Sequence, residues 1–457
     1  MSGGAGRIAG AANAALDALR AHPRHLVLAA LVAGLLAGPL AAAPVVLLLA
    51  PAVAALAGRP PLALIAVVAL LAGALGGQAR LRALDHTQLP PLFGTTVTAR
   101  VVLLEQPRPV RFGHTALVRI GSGERAMLRI GQDVEWPDAA TGAFVDVHGR
   151  LRALGPFERH YARWGAHAAI SLDAAAPTPL RRGGAMGAID RIRTRAERAL
   201  SAGLPQPQAA LLRGMTLGQD DALDERTREE FRVASLAHVL AASGQNVALL
   251  LALGLPLFAA AGIGLRGRLI GALILIALYV PLAGAGPSIQ RAGVMGAATT
   301  VAALAGRPAS RWYALLLAAA VTLVLNPRAS GDPGWQLSFA AVVAIALLAT
   351  RIRHALASRG VPRALADAAA MTTAATLGTA PLLALHFRQL SLVGIPANLL
   401  AAPAIAPITW LGMLAATLGQ LSPALAVPLN AVNAYLLAYV GAVAQVAAGL
   451  PHASLSW

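Results

Sequence analysis

The sequence predicts a polytopic α-helical membrane protein carrying an inserted small all-β, OB-like extracytoplasmic domain. Three observations lead there. The 457 residues are 57% hydrophobic and only 12% charged, with mean hydropathy +0.64, a balance that suits a bilayer rather than water as the main solvent. Apolar stretches of membrane-spanning length fill residues 1–82 and 204–450. Between them, residues 90–175 become charged and alternate polar with apolar side chains, the period of half-buried strands.

In the first zone, the run from Leu26 to Gly77 is interrupted only by Arg59, which is room for about two or three spans. Arg7, Arg20 and Arg24 precede it. They predict a cytoplasmic N-terminus and an uncleaved first segment.

The second zone reads as five short strands, Thr95–Leu104, Thr115–Ile120, Arg125–Ile130, Ala143–Leu151 and His167–Leu172, separated by turn formers. Five strands in so short a stretch suit a small barrel of the oligonucleotide/oligosaccharide-binding kind. Arg108, Arg111, Arg119, Arg129, Trp136, Tyr161, Arg163 and Trp164 supply the cations and aromatics with which such a barrel holds a single strand. Aromatic side chains in a barrel this small also serve as core.

Residues 183–202 turn helical. Arg191, Arg193, Arg195 and Arg198 interleave with Ile189, Ile192, Ala196, Ala199 and Leu200, the pattern of a basic amphipathic helix lying against lipid headgroups. A nucleic-acid contact is the other reading of the same charges. Next, Asp220, Asp221, Asp224, Glu225, Glu229 and Glu230 mix with Arg226, Arg228 and Arg232. Spacings of three and four favour helical salt bridges on a solvated face over a divalent-metal site.

The last zone holds candidate spans near 235–262, 268–284, 288–306, 311–326, 335–350, 364–385, 396–418 and 425–449. Loop arginines at 266/268, 307/311 and 351/353/359/363 fall on one side if the first span is a single crossing. The positive-inside rule makes that side cytoplasmic and residues 90–232 extracytoplasmic. The informative positions are polar groups set into these spans. His238, Ser243, Gly244, Gln245 and Asn246 open the first; Arg291 follows a Gly/Pro cluster; Asp332, Gln336 and Ser338 open another; Asn398 sits between Pro396 and Pro403. Such groups are costly in lipid and persist where they face a bundle interior or a water-filled path. Interrupted helices supply the backbone that replaces water around a polar cargo.

Several functions are excluded. There is no cysteine, so no thiolate chemistry, and all 37 basic residues are arginine, which removes any phosphate-binding loop that requires lysine. The formal net charge is +17, yet residues 90–175 hold 10 Arg against 8 acids and residues 233–457 hold 11 Arg against 2. Much of the excess therefore sets topology rather than binding a polyanion.

The segments Leu204–Gly218, His238–Val247, Ser288–Ala292, Asp332–Phe339 and His386 through Pro403 resemble, in order and approximate spacing, the competence core of the ComEC family of DNA-uptake membrane proteins. The resemblance covers most of the chain. It implies an inner-membrane channel for single-stranded DNA, lined by the polar groups named above; from the motifs of this sequence, no enzymatic activity and no cofactor or metal are expected. Position 246 is Asn where many relatives have His, which further disfavours a metal there. Family members usually carry a C-terminal metallo-β-lactamase-like domain. This sequence reaches Trp457 without a His-x-His-x-Asp-His motif, so the expectation is a form lacking that domain. A separate nuclease, a DNA receptor protein and a cytosolic helicase-like motor are the implied partners, besides membrane lipid. Two other readings use the same residues. One is a secondary transporter or flippase for a small or lipid-linked substrate, which internal inverted repeats would favour. The other is an intramembrane hydrolase with Ser243 as nucleophile and His238 as base, although five residues of helix place the two about 140° apart.

Overall fold

The computed structural model describes residues 22–40, 43–110, 112–121, 123–219, 222–240 and 243–456. Arg111, Asp220 and Asp221 among the expectations above lie outside the described residues. Two compact units divide the chain: residues 1–86, 265–273 and 290–332 in one, residues 87–264, 274–289 and 333–457 in the other.

The first unit is helical. Its N-terminal part consists of α1 (Pro23–Ala37), α2 (Ala43–Ala57) and α3 (Pro60–Asp85). Prolines open both α1 and α3, where a missing N–H costs no hydrogen bond. Helices α1 and α3 cross through glycines: Gly34 on α1 and Gly38 just past its end, against Gly73 and Gly77 on α3. A Cβ at Gly34 would run into the Leu70 carbonyl, and one at Gly73 into the Leu31 carbonyl. Small residues four apart let helix backbones approach to this degree.

The second unit begins with the barrel. Its strands are β1 (Thr96–Leu103), β2 (Arg108–Val110), β3 (Gly113–Ile120), β4 (Arg125–Ile130), β5 (Ala143–Arg152) and β6 (Ala166–Arg181). The sheet order β1-β5-β6-β4-β3-β2, with β1 also paired to β3, closes a five-stranded barrel. Only β4 and β6 run parallel. Alternate residues point inward, and Val101, Leu103, Val118, Leu128, Val145, Val147 and Ile170 form its buried interior. All five expected strands are present. The additional β2 is a three-residue hairpin arm against β3, and β6 runs past its expected end at Leu172 to pair with β5 as far as Arg181.

Helices fill the rest of the chain: α4 (Gly184–Ser201), α5 (Gln206–Leu217), α6 (Glu225–Val233), α7 (Ala237–Leu240), α8 (Gly244–Ala260), α9 (Leu265–Leu282), α10 (Pro287–Leu304), α11 (Arg311–Leu325), α12 (Pro333–Ala357), α13 (Arg363–Phe387), α14 (Gly394–Leu418) and α15 (Val427–Ala448). A two-stranded sheet of β7 (Gln389–Ser391) and β8 (Ser454–Ser456) returns the chain's end to the α13–α14 turn. Each expected span corresponds to a helix, the first in two pieces. Among the described residues, six helices are long and apolar enough to cross a membrane: Pro60–Leu92, Leu265–Leu282, Pro333–Ala357, Arg363–Phe387, Gly394–Leu418 and Pro423–Ala448.

The structure corrects one expectation. The stretch from Pro396 to Pro403 does not break its helix, since α14 runs unbroken through Asn398 and contains both Pro403 and Pro407. Pro396 stands in the first turn, where the backbone N–H has no intrahelical partner to lose. In α6 the acidic run is internally paired, Arg226 with Glu230, Arg228 with Glu225 and Arg232 with Glu229. Phe231 anchors that helix in the core.

Candidate functional site

The polar groups of the helical core gather at three places. The first is the interruption between α7 and α8. Ser243 caps α8, its hydroxyl accepting the Gln245 N–H at 3.2 Å and lying 3.4 Å from Asn246 Oδ1; a serine at this position satisfies a donor the helix leaves unpaired. One turn on, Asn246 is buried. Its amide donates to the Met215 carbonyl at 2.7 Å and to the Tyr279 hydroxyl at 3.1 Å. Tyr279 in turn donates to the Thr216 carbonyl at 2.7 Å. The carbonyls of the last turn of α5, orphaned by the helix end, are thereby met by side chains from α8 and α9. Gly244 is the first residue of α8, and Gln245 is exposed beside the cap.

The second place is the Ser235 carbonyl, in the turn between α6 and α7. His238 Nδ1 donates to it at 3.1 Å and Asn398 Nδ2 at 3.3 Å, while Asn398 also donates to Gly394 O at 2.7 Å. Ser235 has φ +59°, a conformation uncommon outside glycine. A Cβ at Gly394 would press on the Ser235 side chain, so α14 begins with its backbone directly against this turn. His238 and Asn398, 160 positions apart in sequence, thus meet at one acceptor.

The third lies at the start of α12. Gln336 Oε1 accepts from His386 at 2.7 Å, and Ser338 shares a 2.7 Å hydrogen bond with Ser288. Trp335 and Phe339 stack at 4.2 Å on the same helix. Arg291, on α10, is 7% exposed, and Asp332 immediately precedes α12; both belong to the first unit. Sequence reasoning missed Ser235 and Tyr279. Ser235 acts through a backbone carbonyl, which no side-chain pattern reports, and Tyr279 is a lone hydroxyl inside an apolar helix.

The arrangement speaks against the hydrolase reading. The Ser243 hydroxyl is engaged by Asn246 and the Gln245 N–H, and His238 is turned to Ser235. No hydrogen bond joins His238 to Ser243 among the described residues. The pair lacks the nucleophile–base contact that such catalysis needs.

On the barrel, a cleft of about 500 Å³ opens over the outer face of β3 and β4. Its walls include Phe112, Thr115, Arg129, Arg152, Glu158 and Tyr161. A 3-10 helix, Pro156–Trp164, forms one side. There Tyr161 is buried over Leu117 and Met127, donating or accepting a 2.9 Å hydrogen bond with Thr115, and Trp164 packs edge-on against its ring at 5.2 Å. Arg129 is exposed at the cleft. Arg119 is exposed on β3, Arg108 on β2 lies 3.8 Å from Glu105, and Arg163 sits in the 3-10 helix. Trp136 packs against the barrel interior. Of the expected barrel contacts, Arg129 and Tyr161 therefore line the cleft, while Trp136 serves as core.

Arg152 grips Glu158 through two hydrogen bonds of 2.5 and 2.6 Å. That contact holds the Glu158 carboxyl below the usual range despite the opposing effect of burial. A depressed folded-state pKa stabilises the fold above the unfolded value, and the contribution is lost as pH falls through the folded value. Thermal unfolding of the full chain, followed from neutral pH down through the carboxylate range, is expected to show a fall in stability that is shallower in Arg152→Gln. An identical pH profile in the variant would refute this contribution.

Residues 215–457 match the competence protein family. A stretch of 200 residues, 44% of this chain and 25% of the relative, is 28% identical to ComE operon protein 3 of Bacillus subtilis (strain 168). A stretch of 226 residues, 48% of this chain and 30% of the relative, is 29% identical to the uncharacterized protein YcaI of Escherichia coli (strain K12). The chain matches between a quarter and a third of the length of these curated relatives. No solved structure matches.

Proposed function

Since the chain belongs to the ComEC-type competence protein family, we propose that it forms an inner-membrane path that carries single-stranded DNA into the cytoplasm during natural transformation. The observation that carries this reading is the family match itself. It starts at Met215, whose carbonyl receives Asn246, and contains every polar interruption of the helical core. In this reading the long apolar helices span the bilayer with the arginine-bearing loops inside. The barrel stands outside and meets the incoming strand at the cleft beside Arg129 and Tyr161. Arg291 provides an intramembrane cation for phosphate. Gln245, Gln336, His238 and Asn398 contribute polar surface, with Asn246, Ser243 and Tyr279 fixing the interruption that shapes the path. Receptor and motor functions fall to partner proteins.

Uptake of end-labelled DNA by a transformable host tests this. Deletion of the gene is expected to abolish DNase-protected label in the cytoplasm, and the wild-type gene to restore it. Arg291→Ala and Asn246→Ala, at normal membrane abundance, are expected to lower it at least tenfold. Undiminished label in the deletion strain would sink the proposal.

A further inference from the structure

Helix α4 joins the barrel to the helical core of the second unit, and its outward side carries a row of cations. We infer that Arg191, Arg195 and Arg198 form a track for the phosphodiester backbone of a single DNA strand as it passes from the barrel towards the core. This rests on the DNA-import reading and extends it to a surface that the family match, which starts at residue 215, does not reach.

The three residues follow spacings of four and three, so they share one helical face over about 10 Å of axis. All three are exposed. None takes part in a salt bridge among the described residues. The acids of the helix are otherwise engaged, Asp190 by Arg182 and Glu197 by Gln219. The fourth arginine, Arg193, differs: it donates to the Leu282 and Pro281 carbonyls at 3.0 and 2.8 Å, where a cation answers the negative end of α9.

A basic amphipathic helix on a bilayer buries its apolar face among acyl chains. Here that face is spent on protein. Ala196, Ala199 and Leu200 are buried in the helical core. The Ile192 carbonyl receives Gln420, and the Ala199 and Ala202 carbonyls both receive Asn430 at 2.8 Å. A Cβ at Gly419 would collide with Ala199. What remains outward is the arginine side, permanently charged and fixed in place at both ends of the helix. Its complement is a flexible polyanion reaching it from the aqueous side, and a single strand leaving the barrel supplies one.

The test is the salt dependence of binding, measured by anisotropy of fluorescent oligo(dT) on the full chain in nanodiscs of zwitterionic lipid. Each phosphate contact on a single strand contributes about 0.7 to the slope of log affinity against log salt. The triple variant Arg191→Gln/Arg195→Gln/Arg198→Gln is expected to lower that slope by about 2 with thermal unfolding unchanged, and the triple Lys variant to retain it. Arg193→Gln is expected to lower thermal stability while leaving the slope intact. Binding by wild type with an unaltered slope in the Gln triple would overturn the track and leave the import reading standing. Absence of any oligo(dT) binding by wild type would count against both. Loss of anionic lipid from the Gln triple in native mass spectrometry, with DNA binding intact, would assign the row to headgroups and overturn the track.

Discussion

Asp190→Ala is expected to loosen the barrel from α4, at a cost on the order of 3 kcal/mol. Asp190 is 5% exposed. Its carboxylate takes two hydrogen bonds from Arg182, the Oδ1 contact at 2.6 Å, and its backbone carbonyl accepts from Thr194 at 3.0 Å. The same carboxylate lies against Gly142, whose φ of +82° and missing Cβ let the barrel approach so closely. Arg182, the donor, is itself fixed to the barrel by its N–H on the Gly142 carbonyl at 2.9 Å. Removing Asp190 leaves a largely buried guanidinium without its counter-charge, and that uncompensated charge is the larger part of the cost. Adding Arg182→Leu to Asp190→Ala is therefore expected to recover part of the loss. Hydrogen exchange over residues 176–195 of the full chain reads the effect locally, and thermal unfolding reads it globally. Wild-type exchange and melting in Asp190→Ala would show that the clamp does not hold the barrel.

The elements legible in the sequence were those whose signal repeats. The barrel strands show in the alternation of Thr96–Leu103 and Ala143–Arg152, and the long helices in their hydropathy. Strands β2, β7 and β8 were not legible, because three residues contain no period. The extension of β6 was hidden by Pro177 and Pro179, which usually argue against a strand, although this stretch pairs only with β5. The candidate site divides in the same manner. Asn246, Asn398 and His238 stand out as polar groups in apolar runs. What they bind does not, because the acceptors are carbonyls of Met215, 31 positions from Asn246, and of Ser235, 163 positions from Asn398. A backbone oxygen leaves no mark in a sequence. Tertiary folding alone turns these isolated polar residues into two anchored turns.

Gly73→Leu is expected to separate α1 from α3 and to cost more than any exposed substitution in the first unit. The crossing is backbone against backbone: a Cβ at Gly73 would overlap the Leu31 carbonyl, and one at Gly34 the Leu70 carbonyl. No flexible side chain stands there to swing aside, so relief requires the helices themselves to move apart. Moving apart also forfeits packing around Leu26, Ala30, Leu70 and Ala74, which are buried together with α2 residues. Overpacking of a tight core typically costs about 1–3 kcal/mol, and a rigid obstacle on both sides places this site at the upper end. Gly76 is the internal control. It lies on the same helix, is exposed, and has nothing within 4 Å of a Cβ built on it. Gly76→Leu changes helix propensity and hydrophobicity in the same sense as Gly73→Leu yet meets no neighbour, so it is expected to melt at or above the wild-type temperature. The comparison is thermal unfolding of the two variants in identical nanodiscs, with membrane abundance in cells as the second readout. Equal melting of both would mean that the α1–α3 approach contributes nothing specific. A loss confined to Gly73→Leu ties stability to the close glycine crossing itself.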